Sequence, residues 1–488
     1  MSISIVSPLR ATNMIIAFIM LFVNIFSLQS FMTSKGCLTS VLGMPKLKKM
    51  VFIFPLCYCS TDHLTIARKA EHLLKAVGVV VEYNPFHYGH AYHVNQAKKQ
   101  TSSDVAIAVM SGSFLQRGEP AIVSKWARTK MALQNGVDIV CELPYIYAVQ
   151  KAETFANGAV SILDALKCHS LFFGSEDGEI NAFERTAHAW HEKKAEIDLL
   201  TKEKVKKGLS YPAAAAAAFQ EAIHSEHLLD LSKPNNILGF HYVKAILERA
   251  PHMQPFTSQR IASDYHDEEL PNNQKIASAT SIRKALKEQN SFQAVTPYLP
   301  DATLKQLHDY HSSYDLLHTQ EAYFRFLKHV FHTMDTSELE GIYEIEEGIE
   351  HRMQKAMTHA SSYEEYLSLV KTKRYTWTRL QRMNTHLLMN VKKKTMHALL
   401  EEKKAPYIRL LGMTRKGQQY LSLVKKELDV PLVSKLSSFS HPALDLDIRA
   451  SRVFSLPICE PMQTELTKAE FKTSPIRYDE ESGLFSSR

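Results

Sequence analysis

Cysteine is scarce in this chain, which has six cysteines among 488 residues. They are Cys37, Cys57, Cys59, Cys141, Cys168 and Cys459. So few cysteines in so long a chain exclude a disulfide-stabilised scaffold. No pair of CxxC motifs is present, and Cys57 and Cys59 are too close together for the usual zinc knuckle. We therefore predict no metal site, reduced and mostly buried cysteines, and a cytoplasmic location.

Extremes of composition and internal repeats are also absent. Hydrophobic residues make up 45% of the chain and charged residues 22%, which excludes disordered and fibrous proteins. At roughly 150 residues per domain, the length allows two or three domains and a large core.

The N-terminal residues 1–73 differ in composition from the rest. Residues 14–32 read MIIAFIMLFVNIFSLQSFM and follow Arg10, which is close to the ~20 apolar residues that a membrane helix needs. One interpretation is an N-terminal membrane anchor. The other is that this extension lies outside the native product and that translation begins at Leu74, since a leucine codon can serve as a bacterial start. We expect no stable membrane association of the product 74–488.

From residue 74 onward, strand and helix patterns alternate. Val77 to Val81 is a run of valine and glycine that suits a strand buried on both faces. Further strands are predicted at 105–110, 137–143 and 170–173, with helices at about 91–99, 124–135 and 153–166. This alternation predicts an α/β domain with a doubly wound parallel sheet over residues 74–290. Ligands of such sheets bind at the carboxyl ends of the strands.

The sharpest chemical feature follows the first strand and reads His87-Tyr88-Gly89-His90. Two imidazoles three residues apart, at a strand-to-helix junction, can face one phosphate group, and the helix N-terminus favours an anion there. Gly89 allows a phosphate to approach the backbone closely. A metal pair is disfavoured because no third ligand has an obvious spacing.

A second candidate anion site lies about 190 residues downstream, in the sequence IASATSIR from Ile276 to Arg283. Hydroxyl side chains at a helix N-cap and an arginine in the first turn can bind a phosphate. The loop from Ser111 to Pro120 is predicted to lie on the substrate side, with Arg117 contacting adenylate or tRNA. For Lys125 and Arg128, on the next predicted helix, contact with phosphate and a solvated face are equally plausible.

Together, NPFHYGH and IASATSIR resemble the HxGH nucleotidyltransferases, which bind ATP. The ordered set of KAVGVVVEYNPFHYGHAYH, SGSFLQRGEPA, DIVCELP, FFGSE, PNNILGFHY and SDYHD is similar to the bacterial tRNA(Met) cytidine acetate ligase family. The resemblance extends from about Leu74 to the C-terminus. It implies a nucleotidyltransferase-like (HUP) domain, followed by a mainly helical C-terminal domain.

The resemblance also implies a reaction. Acetate and ATP would form acetyl-adenylate, and the acetyl group would pass to N4 of the wobble cytidine of elongator tRNA(Met). His87 and His90 would be catalytic, and ATP would enter with Mg²⁺. The implied ATP-binding residues are Val80, Val81, Glu82, Tyr83, Asn84, Pro85, Phe86, His87, Tyr88, Gly89, His90, Ala91, Tyr92, His93, Gly174, Asn235, Arg260, Ser278, Thr280 and Arg283. Asn235 is preferred to Asn236 at the asparagine position.

Residues 291–488 are mainly helical in pattern, with a short strand predicted near 407–414 that packs the end of this domain. Residues 371–416 contain thirteen lysines and arginines and two glutamates, a local excess larger than the chain's net charge of +7. Tyr375, Trp377 and Tyr407 interleave these cations, a combination typical of nucleic-acid binding. We predict a tRNA-binding domain, with contacts from Lys373, Arg374, Arg379 and Arg382. The acidic segment 338–350 is predicted to be a solvated helix.

Two other functions stay open at this point. An adenylyltransferase acting on a small phosphorylated metabolite would also use HxGH, although it would not need the basic C-terminal half. A non-catalytic RNA-binding protein could keep the nucleotide fold, but the presence of both histidines, Gly89 and Arg283 argues against it.

Overall fold

The fold is built around one mixed sheet. A computed structural model describes residues 74–223, 228–260, 270–271, 275–289 and 291–486, and Leu74–Arg488 form a single compact unit. Across those ranges the sheet has nine strands. They are β1 (Ala76–Val81), β2 (Val105–Ser111), β3 (Ile139–Leu143), β4 (Ser170–Ser175), β5 (Gln254–Gln259), β6 (Ile408–Thr414), β7 (Leu432–Val433), β8 (Ile476–Asp479) and β9 (Leu484–Ser486).

The first five strands are all parallel and lie in the order β5-β4-β1-β2-β3. The chain passes outward from β1 to β3 on one side and from β4 to β5 on the other. The strand order therefore reverses between β1 and β4, which is the position where doubly wound sheets bind ligands. The predicted doubly wound parallel sheet is confirmed. Strand β5, with the polar sequence QPFTSQ, was not predicted.

The helices between residues 88 and 289 connect these five strands. They are α1 (Tyr88–Gln100), α2 (Lys125–Gln134), α3 (Tyr145–Ala148), α4 (Ala152–Ala165), α5 (Ile180–Glu192), α6 (Lys194–Lys206), α7 (Tyr211–Ala222), α8 (Pro234–Arg249) and α9 (Ala279–Gln289).

Alternate residues of the strands supply two separate hydrophobic cores. Val77 and Val79 of β1 pack in one core with Met131 of α2. Ala76 belongs to the other core, together with Leu163 of α4. Because a strand points successive side chains to opposite faces, this division places helices on both faces of the sheet.

The C-terminal half adds strands to the same sheet. Strand β6 pairs antiparallel with β3, and β7 and β8 each pair in parallel with β6. The strand predicted near 407–414 is thus present, but its predicted place at the end of a separate helical domain is wrong, because it extends the central sheet. Strands from both sides of residue 290 share one sheet, and the division of 74–488 into two domains stays a prediction.

The remaining helices follow α9. They are α10 (Asp301–Tyr314), α11 (Phe324–Thr333), α12 (Thr336–Glu340), α13 (Ile349–His359), α14 (Tyr363–Val370), α15 (Trp377–Leu388), α16 (Lys393–Leu400), α17 (Arg415–Val424), α18 (Pro442–Ser455) and α19 (Met462–Lys472), with short 3-10 turns at Gln293–Tyr298, Gln320–Tyr323 and Leu436–Ser438. Side chains of α11 to α15 form a third core, separate from the two that flank the sheet.

Two predicted features fall beyond the part of the chain that the structure describes. One is the apolar run 14–32, and the other is the SDYHD segment at 263–267. Among the described residues, none of the helices is long and apolar enough to cross a membrane.

Candidate active site

The loop after β1 delivers both motif histidines to the carboxyl edge of the sheet. Tyr83 is buried and has a φ of 49°, a left-handed conformation that turns the chain sharply after the strand. The side-chain Oδ1 of Asn84 accepts a hydrogen bond from the backbone N–H of Ile122 at 2.6 Å. These contacts fix the loop before His87, which is the N-cap residue of α1.

His87 and His90 form a reciprocal capping box at the start of α1. The Nδ1 atom of His87 accepts from the backbone N–H of Gly89 at 3.0 Å, and Nδ1 of His90 accepts from the backbone N–H of His87 at 3.3 Å. A ring nitrogen that accepts a hydrogen bond carries no proton, so the remaining proton of each neutral imidazole lies on Nε2. The cap therefore leaves each ring with Nε2–H as its hydrogen-bond donor.

The two rings are held by close packing. Their centroids are 3.8 Å apart, and the rings of Tyr83 and Phe86 lie 5.0 and 5.6 Å from that of His90. A Cβ atom on Gly89 would lie 2.8 Å from Cε1 of His87, closer than real side-chain contacts. A larger residue at this position would therefore displace the His87 ring.

The electrostatic environment keeps these histidines neutral. Burial, reinforced by the charges of Arg260 and Arg283, lowers the pKa of His87 to about 3. Burial likewise lowers the pKa of His90 far below 6.5, and burial with Arg260 lowers the pKa of His93 to about 4. At neutral pH these imidazoles therefore carry no charge of their own.

Further predicted ATP-binding residues lie at the carboxyl ends of β4 and β5, close to the ring of His93. The side chain of Arg260 passes over Gly174, where an added Cβ would lie 3.2 Å from Cγ of Arg260 and 4.0 Å from the ring of His93. Nη1 of Arg260 donates to Oδ1 of Asn235 at 3.4 Å. Four residues that are far apart in the sequence therefore converge at the switch point between β1 and β4.

The two neighbouring asparagines have different surroundings. Asn236 is buried, and its Oδ1 accepts from the backbone N–H groups of Glu176 and Asp177, both at 3.1 Å. Asn235 is partly exposed and faces Arg260, while the Glu176 carboxylate accepts from its Nδ2 at 2.7 Å. The preference for Asn235 at the ATP site stays a prediction. The carboxylate of Glu176 caps the start of α8, because it accepts from the backbone N–H groups of Asn235 at 3.1 Å and Asn236 at 2.7 Å.

The second motif docks directly on the first. Ser278 Oγ accepts from the backbone N–H of Ser281 at 2.9 Å and so caps α9. Nη1 of Arg283 donates to the carbonyl oxygen of Asn84 at 3.0 Å, and Nη2 lies 3.5 Å from Oγ1 of Thr280. The predicted hydroxyl and arginine residues are therefore adjacent to the loop that carries the two histidines.

Arg128 has neither of the two roles considered from the sequence. It is fully buried, and Nη1 donates to the carbonyl oxygens of Glu82 at 2.7 Å and Ser111 at 2.9 Å, while Nη2 donates to that of Gly112. Both phosphate contact and a solvated face are thus wrong for Arg128. Its guanidinium joins the carboxyl ends of β1 and β2 and positions the loops that follow them.

Lys125 is also buried, so the same two predictions are wrong for it. Its Nζ atom lies 2.7 Å from the Glu142 carboxylate and 2.8 Å from that of Glu470, and Arg409 lies 3.2 Å from Glu470. These side chains form an ionic network between β3, β6 and α19. Buried charges need such partners because each loses its hydration.

The predicted tRNA contacts lie beside an acidic turn. Arg374 pairs with Glu347 at 2.6 Å, Arg379 with Glu346 at 3.3 Å and Arg382 with Glu344 at 3.0 Å. Lys373 is exposed, and Arg382 is buried.

The predicted solvated helix over 338–350 is wrong for most of that segment, because α12 ends at Glu340 and the segment continues as turns. Glu344 and Glu347 have φ values of 66° and 63°. An RNA contact by the arginines therefore stays a prediction, and it would have to compete with these carboxylates.

Sequence reasoning missed Glu119 and Glu176, and it missed the structural role of Arg128. A buried arginine and a helix-capping glutamate leave no local pattern, because their partners lie far away in the chain. Glu119 was seen only as part of the 111–120 loop, whereas in the structure it lies 3.5 Å from Arg283. Within the described ranges, no group of three or more His, Cys, Asp or Glu side chains is arranged to hold a metal ion.

A family model described as HIGH Nucleotidyl Transferase matches residues 74–469. The parallel sheet, the HxGH cap at its switch point and this match together define a HIGH-class nucleotidyltransferase.

Curated relatives narrow the assignment. The chain is 61% identical over 413 residues to the tRNA(Met) cytidine acetate ligase of Bacillus velezensis and 60% identical over 413 residues to that of Bacillus subtilis, matches that cover 84% of this chain and 99% of each relative. The chain belongs to the tRNA(Met) cytidine acetate ligase family.

Solved structures agree with this placement. Thermotoga maritima TmcAL in an apo form is 32% identical, with a TM-score of 0.77 over 83% of this chain and all of that one. The same protein bound with alpha-thio ATP gives a TM-score of 0.75 at 32% identity, again over 83% of this chain and 100% of that one. The family recognised from the motifs is thus confirmed.

Proposed function

We propose that this protein activates acetate with ATP to form acetyl-adenylate, and then transfers the acetyl group to N4 of the wobble cytidine of elongator tRNA(Met). The observation that carries the proposal is the pair of neutral imidazoles, each with its Nε2–H as donor, beside Arg260 and Arg283 at the switch point of the sheet. Such a constellation suits a triphosphate whose α-phosphorus is attacked by a carboxylate. The family assignment supports acetate and tRNA(Met) as the substrates.

The first step needs positioning and charge stabilisation more than acid–base chemistry. Acetate is already ionised at neutral pH, so no general base is required. One carboxylate oxygen bonds to the α-phosphorus, and the bond from that phosphorus to the β-phosphate bridging oxygen breaks, which releases pyrophosphate. His87 and His90 would donate to phosphate oxygens on which negative charge develops, and Arg283 would stabilise the leaving pyrophosphate.

Magnesium would enter as part of the ATP complex. The described residues offer no carboxylate cluster for a resident ion, and Mg²⁺ commonly binds through substrate phosphates. We propose that the ATP-binding set, from Val80 to His93 with Gly174, Asn235, Arg260 and the second motif, surrounds the triphosphate, with the fully buried Tyr83 and Phe86 supporting the loop from within. With tRNA as acceptor, a cytoplasmic location is expected.

The RNA would lie across the C-terminal half. Lys373, Arg374 and Arg379 are exposed or partly exposed and lie close together near the start of α15, so they are the residues proposed to bind the RNA backbone. Arg382, paired with Glu344 at 3.0 Å and buried, would support this surface from beneath.

The test is a reconstitution with the chain from Leu74, ATP, Mg²⁺, labelled acetate and bulk tRNA, followed by digestion and nucleoside analysis. We expect the label in N4-acetylcytidine, and none when ATP is omitted. ATP turnover with unlabelled RNA would instead favour the small-molecule adenylyltransferase. Absence of any ATP chemistry would refute the proposed reaction.

A further inference from the structure

Arg283 lines a large cleft, and neither His87 nor His90 is among the residues that line it. Its volume is about 790 Å³, and its walls come from α9, residues 315–321, the start of α14 and Trp377. Thr280 and Arg283 line it, so it shares two residues with the proposed nucleotide site. Pockets of roughly 300–1,000 Å³ are the usual size for small ligands and nucleotides.

An aromatic side chain stands exposed at the cleft. Of the three rings that interleave the basic segment, Tyr375 and Tyr407 are buried, at 5% and 0% exposure, whereas Trp377 is 44% exposed. Proteins that act on a base in RNA commonly take it out of the stack and place it against an aromatic ring. Trp377 has the chemistry and the exposure for this role, and Lys287, which also lines the cleft, is an exposed cation suited to a phosphate.

A carboxylate lies where the cleft meets the nucleotide site. The Glu119 carboxylate is partly exposed and lies 3.5 Å from Nη2 of Arg283, whose Nη1 contacts the loop before His87. Carboxylates are the usual acceptors for the N4 amino group of cytosine.

Other acids are less suitable for this role. Glu321 also lines the cleft, but it accepts from the backbone N–H of Tyr363 at 2.9 Å and caps α14. Glu82 accepts from the backbone N–H of Gln116 at 2.9 Å and is not among the residues that line the cleft.

We propose that this cleft binds the acceptor cytidine of the RNA, with Trp377 stacking on the base and Glu119 accepting first a hydrogen bond and then a proton from N4. This assignment rests on the proposed function. In the step itself, the N4 lone pair forms a bond to the acetyl carbonyl carbon. The bond from that carbon to the adenylate oxygen breaks, AMP leaves with the electron pair, and the N4 proton passes to the Glu119 carboxylate.

The transfer step can be tested separately from activation by supplying synthetic acetyl-adenylate and tRNA(Met) to the enzyme in single-turnover experiments. In Glu119→Gln we expect acetyl transfer to fall by about 100-fold or more, the usual contribution of a general base. Acetate-dependent ATP–pyrophosphate exchange, measured in parallel, should fall much less. Glu192→Gln, which changes an exposed carboxylate of α5 outside the lining of the cleft, is the control and should transfer at the wild-type rate.

Stacking is tested with Trp377→Ala and Trp377→Phe. The alanine variant should raise the half-saturating tRNA concentration about tenfold or more, as expected for loss of 1–3 kcal/mol of base stacking. The phenylalanine variant should restore most of the lost affinity for tRNA.

Transfer at the wild-type rate in Glu119→Gln, or equal losses of transfer and exchange, would overturn the role of Glu119. An unchanged tRNA dependence in Trp377→Ala would overturn the cleft as the cytidine site. Failure of the wild-type enzyme itself to acetylate tRNA would instead refute the proposed function.

Discussion

Gly89→Ala should separate folding from catalysis at the histidine cap. The added Cβ would lie 2.8 Å from Cε1 and 2.9 Å from Nδ1 of His87, and 3.3 Å from Cγ2 of Ile276. Contacts this short force the imidazole to move. The ring can move only by weakening its 3.0 Å hydrogen bond from the Gly89 N–H and its ring contact with His90, whose centroid lies 3.8 Å away.

The consequences for stability and activity should differ. Gly89 has no positive φ, so alanine there stabilises the fold by about 0.4–1 kcal/mol by restricting the unfolded chain, which offsets the cost of displacing one side chain. Loss of one aligned donor to a developing phosphate charge costs about 10²–10³ in rate. We therefore expect acetate-dependent ATP–pyrophosphate exchange to fall by about 100-fold or more, while the midpoint of urea unfolding changes little.

Asn95→Ala provides the control, because Asn95 lies on the exposed side of the same helix. It should raise helix propensity by a few tenths of a kcal/mol and leave exchange at the wild-type rate. Wild-type exchange in Gly89→Ala would show that the ring position does not matter and would refute the reasoning. Parallel losses of exchange and stability would assign Gly89 a purely structural role.

His90→Ala removes one Nε2–H donor and should lower ATP–pyrophosphate exchange by about 100-fold or more, with tRNA binding nearly intact in a filter-binding assay; full exchange activity would contradict the site. Arg379→Ala should weaken tRNA binding and reduce the slope of log affinity against log salt by about 1, without affecting exchange; an unchanged slope would remove Arg379 from the RNA surface. Lys125→Met leaves two buried carboxylates without this cation and should cost about 3–5 kcal/mol in urea denaturation, so an unchanged midpoint would contradict the network. Burial lowers the pKa values of His87 and His318 to about 3. The unfolded chain therefore binds more protons below pH 6.5, and each histidine should remove up to about 1.4 kcal/mol of stability per pH unit as the pH falls from 6.5 towards 3; stability independent of pH between 7 and 4 would contradict these shifts.

Local patterns in the sequence determine much of this protein. The valine-rich run that forms β1 is apolar throughout because the strand is buried on both faces. The HxGH cap can be read directly because its partners lie within three residues of one another. The same holds for the cap of α9, where Ser278 and Ser281 are three residues apart. The order of these local motifs was sufficient to recognise the family.

The tertiary structure decided every role that depends on partners distant in the chain. Arg128 and Lys125 look like surface cations in the sequence, because the carbonyls and carboxylates that bind them belong to other strands and helices. The strand at Ile408–Thr414 gives no local sign that it will extend the central sheet. Likewise, the basic composition around Arg374, Arg379 and Arg382 predicts cations available to bind RNA, but the fold places an acidic turn beside them. Only burial, which is set by the packing of the whole chain, distinguishes exposed Trp377 from buried Tyr375.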